Sequence, residues 1–173
     1  MGLTDILTVL DSLDERERRT LDLVLAGHPN KAIGRQLDEL IRAASLNVAK
    51  LQGSQMRENQ IRNVVDLAAR SESMEEVTNF IRYQIGRRDT GKSWSHGSFG
   101  KSVIGDIETG AVPSALANVI REVPLADVVF VRSRLIALFL GYLNRCFVYA
   151  DKSGDWRNLS SNPSGEAGDQ RHV

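Results

Sequence analysis

At 173 residues the chain has room for one domain, or for one compact domain with appendages. Its 22 basic and 22 acidic side chains cancel, so no net charge marks it for nucleic acid. Such a partner requires basic groups that are clustered and acidic ones kept elsewhere. The single cysteine, Cys146, excludes an internal disulfide and a cysteine-built zinc site, and beside Phe147 and Val148 it reads as a small core residue. No apolar run approaches the roughly 20 residues of a membrane span. The Met-Gly start lacks the features of a secretory signal and the Ser/Thr of a myristoylation signal, so a reducing cytoplasm is the expected location.

In chain order, Leu3, Ile6, Leu7, Leu10 and Leu13 fall at helical spacing, and Leu21 to Leu25 follow a charged turn at Asp14–Arg19, so residues 3–26 read as helix. Gly27-His28-Pro29-Asn30 predicts a break. A second helical stretch is expected over 31–51 and a third over 54–70, separated by Gly53-Ser54. Ser73 followed by Glu76 has the form of a capping box opening a fourth helix to Gly86. Residues 89–100 read as loop by composition, and a weaker helical segment runs over 103–121, interrupted near Gly110–Pro113. Pro124 takes the position of a first-turn proline for the strongest helix, 125–149, whose apolar residues cover a wide face. From Lys152 the chain turns to Ser, Gly, Asn and Asp. The expectation is an all-α, compact bundle of about five to six helices: an N-terminal helical extension over 1–50, the bundle over 51–152 and a disordered tail over 153–173.

Several features bear on chemistry. Gly86-Arg-Arg-Asp-Thr-Gly91-Lys92-Ser93 satisfies the spacing of a phosphate-cradling loop, which would make the chain a P-loop-like nucleotide-binding enzyme. That loop needs a buried strand before it and a helix after it, whereas helical spacing precedes it and Trp94-Ser-His-Gly-Ser-Phe-Gly100 follows. His28, His96 and His172 have no partner at metal-ligand spacing, and no metal, cofactor or catalytic group is expected. The basic distribution is more informative. Arg82, Arg87, Arg88, Lys92 and Lys101 face Asp89 alone, with Tyr83, Trp94, His96 and Phe99 interleaved. Cations suit phosphates and flat rings suit unstacked bases, a combination that serves single-stranded nucleic acid; an ordinary polar loop between two helices has the same composition.

Two resemblances follow from longer motifs. Leu13-Asp-Glu-Arg-Glu-Arg18, Leu21-Asp-Leu-Val-Leu-Ala-Gly27 and Asn30-Lys-Ala-Ile-Gly-Arg-Gln-Leu37 resemble the first half of the LuxR/FixJ-type helix-turn-helix domain. That resemblance implies a DNA-binding regulator, but the sequence runs on into Glu39-Leu-Ile-Arg-Ala-Ala44 without the pattern of a turn and recognition helix. Over residues 51–155, three landmarks stand in order: Ser54-Gln-Met-Arg-Glu-Asn-Gln-Ile-Arg-Asn63, Phe80-Ile-Arg-Tyr-Gln-Ile-Gly-Arg87 and Leu140-Gly-Tyr-Leu-Asn-Arg-Cys-Phe-Val-Tyr149. In these the chain resembles the helical small subunit of type III CRISPR effector complexes, nearest the type III-A (Csm) form.

This second resemblance implies a non-catalytic subunit that holds single-stranded target RNA in a guide RNA/target RNA complex. Its partners would be the backbone and large subunits and other copies of itself, and guide pairing would supply the sequence information. By position in the landmarks, Arg62 and Arg87, with Arg88 beside it, are the implied phosphate contacts; charge placement alone adds Arg57, Lys92, Arg134, Arg145 and Lys152.

Overall fold

A computed structural model describes the chain at Thr8 and over residues 11–159, with residues 23–28 entering through their helical backbone only. Every regular element among the described residues is helical, so the fold is all-α. The elements are α1 (Glu15–Gly34), α2 (Leu37–Ala49), α3 (Glu58–Ala68), α4 (Met74–Gly86), α5 (Gly91–Ser95), α6 (Phe99–Glu108), α7 (Ala111–Glu122) and α8 (Val128–Ser153), with short 3-10 turns at His96–Ser98 and Arg157–Leu159. Seven are ten residues or longer, more than the expected five to six, because residues 99–122 form two helices around Thr109–Gly110.

Several boundaries differ from those the sequence suggests, each for a local reason. Asp14 to Arg19 is a cap and first helical turn: the Asp14 carboxylate accepts from Glu17 N at 2.8 Å and the Glu17 carboxylate accepts from Asp14 N at 3.0 Å. The break expected at Gly27–Asn30 is absent, and α1 carries Pro29 inside it. A proline removes one ladder hydrogen bond, and here its ring is buried in return. The turn falls instead at Arg35–Gln36, dividing the stretch expected to be continuous over 31–51. Both turn residues are tied to α7: the Arg35 guanidinium pairs with Glu122, and Asn118 Nδ2 donates to Gln36 Oε1 at 3.0 Å.

The core follows from α8. Val131, Leu135, Ile136, Phe139, Leu140, Leu143, Phe147 and Ala150 are all buried, which spreads apolar contact over a wide arc and lets one helix pack against α2, α3 and α7. Burial of each such large side chain contributes about 1.5–3 kcal/mol. Leu40, Ala44 and Val48 of α2 join the same core as Ile61 and Val64 of α3 and Val77 and Ile81 of α4. Asp127 is the N-cap of α8, its Oδ1 accepting from Val129 N and Phe130 N at 2.8 and 3.1 Å, so Pro124 lies in the preceding turn and not in the first turn of the helix. Cys146 is half-buried against this core, its Sγ 3.4 Å from Ser45 Oγ.

At the other end of α8, Gly154 adopts a left-handed conformation with φ +73°, which turns the chain back. Trp156 then meets Phe147 edge-on at 6.3 Å, Leu159 is buried, and the Tyr149 hydroxyl donates to Asp155 Oδ2 at 2.8 Å. The disordered tail expected from residue 153 is therefore ordered to Leu159, because these two apolar residues have a surface to cover. The rest of it, residues 160–173, lies outside the described residues, as does the apolar stripe Leu3, Ile6, Leu7 and Leu10.

Candidate functional site

Helices α3 and α4 form an antiparallel hairpin, closed by a turn in which Ser73 Oγ accepts from Glu76 N at 3.1 Å. The Glu76 carboxylate takes the Ser71 hydroxyl at 2.5 Å, so the expected capping box is half made. Ile61, Val64 and Ala68 anchor α3 inward, and Val77 and Ile81 do the same for α4. A groove runs along the outside of the pair. One half, about 850 Å³, is lined by Arg57, Asn59, Gln60, Gln84 and Arg87 among others. The other, about 600 Å³, is lined by Leu67, Arg70, Asn79, Phe80 and Tyr83 among others, and Asn63 belongs to both halves.

The structure brings Arg57 and Arg87 to this groove and leaves Arg62 off it. Arg57 is the extended N-cap residue of α3, its backbone N–H donating to Gln60 Oε1 at 3.0 Å. Arg87 follows the last turn of α4; its Nε and Nη2 donate to the two oxygens of Asp89 at 2.9 and 2.5 Å, and its guanidinium lies 5.6 Å from the Tyr83 ring centroid. Arg62 is exposed and paired with Glu58 one turn earlier. Arg88 and Lys92 are exposed and hold no ion pair among the described residues. Surface pairs of this kind are worth about 0–1 kcal/mol, so a competing phosphate displaces them at small cost.

A second cationic feature lies on α8. Arg134, Arg145 and Lys152 are separated by 11 and 7 residues, close to three and two turns, and all three are exposed. They therefore form one line about 27 Å long on the face opposite the buried residues. The Arg145 guanidinium lies 5.2 Å from the Tyr142 ring centroid, and Lys152 Nζ lies 3.3 Å from Asp151.

The aromatic part of the 82–101 strip is not a surface. Trp94 is 1% exposed and Phe99 fully buried, their rings 5.3 Å apart, while Gly91–Ser95 is helix and not loop. Two apolar rings outweigh the polar composition around them, and the segment folds inward. His96 is half-buried with Nε2 3.1 Å from Gln52 O, and Arg82 is taken up by Glu108 at 2.6 Å. Of the interleaved aromatic rings, only Tyr83 stays open, at 58% exposure.

The phosphate-loop pattern has a packing explanation. Helix α4 precedes it where a strand is required, and no strand occurs among the described residues. Gly91 is a close approach: a Cβ there would lie 2.6 Å from Ile85 O. Ser93, the residue that would meet magnesium, is 4% exposed. Helix α2, where a recognition helix would fall, buries Leu40, Ala44 and Val48 and opens its first turn with Asp38 and Glu39 exposed. A duplex-reading helix needs the opposite charge there.

Sequence reasoning missed the carboxamides. Asn59 and Asn63, four residues apart, share one side of α3, and Gln55 in the segment before it lines the same groove; the Asn59–Asn63 spacing was the available signal. It also missed Leu125, Val128, Val129 and Phe130, an exposed apolar group at the start of α8. No helix among the described residues is long and apolar enough to cross a membrane, and in them no group of three His, Cys, Asp or Glu side chains converges. Comparison with protein-family models, with curated proteins and with solved structures gives no match.

Proposed function

We propose that this chain is a non-catalytic small subunit of a type III CRISPR RNA-guided effector complex in the cytoplasm, gripping single-stranded target RNA by its phosphates. The observation that carries the reading is the line of Arg134, Arg145 and Lys152 along α8. Its length of about 27 Å suits several consecutive phosphates, and its side chains have no base-specific geometry to impose. Arg57 and Arg88 add cations free of ion pairs among the described residues, while Arg62 and Arg87 contribute once phosphate displaces Glu58 and Asp89.

Packing along backbone subunits and beside other copies is supported by the apolar group Leu125, Val128, Val129 and Phe130, which a chain acting alone has little reason to expose. Repetition along a backbone raises a modest affinity per copy. The DNA-reading alternative is weakened by the burial and acidic start of α2, and the nucleotide-binding alternative by α4 and the packing of Gly91. The test is the salt dependence of RNA binding in a chain lacking the three α8 cations.

A further inference from the structure

The α3–α4 groove contains more than phosphate grip requires. Its charges nearly cancel: Arg57, Arg70 and Arg87 stand against Asp66, Glu76 and Asp89. A run of phosphates gains little from such a lining. What remains is uncharged and directional, the carboxamides of Gln55, Asn59, Gln60, Asn63, Asn79 and Gln84. A carboxamide presents a donor and an acceptor side by side, which matches the edge of a nucleobase.

Two side chains point to a ligand. Gln84 is only 5% exposed yet lines the groove. The Thr90 hydroxyl lies 3.1 Å from its Oε1 and 2.9 Å from its backbone oxygen, which orients the amide and leaves Nε2 without a hydrogen-bond partner in the described chain. This donor still reaches solvent, and an acceptor arriving in the groove takes the place of water on it. Tyr83 is the second. Its ring has Arg87 over it and Phe80 beside it at 6.3 Å, while more than half of the residue stays open. It is an aromatic platform held in position before anything binds.

We infer that the α3–α4 groove is a nucleobase subsite, in which one unstacked base of single-stranded RNA lies against Tyr83 with its edge toward Asn63 and Asn79. The adjoining sugar and phosphate oxygens are acceptors for Gln84 Nε2 and Arg57. This rests on the RNA-binding reading and adds to it a contact that reads the base plane as well as the charge. Stacking accepts every base, so the subsite tolerates any sequence.

The test measures fluorescence anisotropy of the full chain with a short oligoadenylate and with an abasic strand of equal length and charge, over a range of salt. Tyr83→Ala is expected to weaken oligoadenylate binding roughly 5- to 150-fold, the range of one lost base–aromatic stack. The salt slope should stay unchanged, because no phosphate contact is lost. Tyr83→Phe should retain the affinity, and the wild type should bind the abasic strand as weakly as Tyr83→Ala binds oligoadenylate. Equal wild-type affinity for the two strands, or wild-type affinity in Tyr83→Ala, overturns the base subsite while leaving phosphate binding intact. Failure of the wild type to bind either strand at low salt removes the RNA reading and the subsite together.

Discussion

Arg87 lies 5.6 Å from the ring centroid of Tyr83, one turn earlier on α4, and grips Asp89 with the two nitrogens that would otherwise meet a phosphate. Motif position in the sequence implies that Arg87 is a free cation, whereas in the fold it is a positioning group for an aromatic ring. Cation–π contact at an exposed site is worth about 0.5–1 kcal/mol, enough to bias the rotamer of Tyr83 without closing off the ring. Of the cationic candidates, Arg57, Arg88, Lys92, Arg134 and Arg145 have no ion pair among the described residues, and they lie at the groove, in the turn after α4, on α5 and along α8.

The two glycines of the phosphate-loop pattern separate packing from nucleotide chemistry. Gly86 has nothing within 4 Å of the place a Cβ would take, and its backbone is helical. Gly86→Ala is expected to stabilise the chain by about 0.5–1 kcal/mol, the cost of glycine in a helix. Gly91→Ala drives a methyl onto Ile85 O and should cost about 1–3 kcal/mol. Urea denaturation of both variants checks this, with ATP and magnesium producing no shift in either. A nucleotide-dependent shift that Lys92→Ala abolishes contradicts it.

Trp94 packs on Phe99 and is sealed from solvent. In a Trp156→Phe background its emission should be blue-shifted, unaffected by iodide and unquenched by RNA. Quenching by RNA contradicts the inward packing. Trp94→Ala should destabilise the protein by about 3–5 kcal/mol, the cost of emptying an aromatic site in a core.

The legible part of the fold was the part where one periodicity dominates. Helix α8 is readable because its apolar residues recur along 26 positions, and the Ser73 cap is readable because its partners lie three residues apart. What escaped depends on contacts distant in sequence. Nothing in the local composition of residues 89–100 reveals that Trp94 and Phe99 find each other and the core, and nothing around Pro29 reveals that it stays in α1 with its ring covered. Trp156 and Leu159 looked too few to order a tail until Gly154 turned them back toward Phe147. The cationic candidates were identifiable as residues, but their state was not: Glu58 and Asp89 lie close in sequence to Arg62 and Arg87, and only the side-chain geometry shows which cations they occupy.

The end of α8 carries a pH-sensitive contact. The Tyr149 hydroxyl, donating to Asp155, holds that carboxyl below the usual carboxylate range, and the carboxylate raises the Tyr149 pKa in turn. A depressed folded pKa stabilises the fold above the unfolded value of about 4, and that contribution disappears as the pH falls through the folded pKa. Tyr149→Phe removes the contact. Its urea midpoint is expected to lie below that of the wild type at neutral pH, and the two should converge in acid below about pH 4. A gap of constant size down to the acid limit contradicts the account.

The most direct test of RNA binding is the slope of log affinity against log salt for a single-stranded RNA, in the wild type and in Arg134→Ala/Arg145→Ala/Lys152→Ala. Each phosphate contact to a single strand contributes a slope of about −0.7, so loss of all three should flatten the wild-type slope by about 2. All three side chains are exposed, so the variant should stay folded, and its circular dichroism and melting temperature are the controls. A flattened slope with an unchanged fold is the predicted result. A wild type that binds no RNA at low salt, or a variant with the wild-type slope, would contradict the assignment of α8 as the phosphate-gripping face.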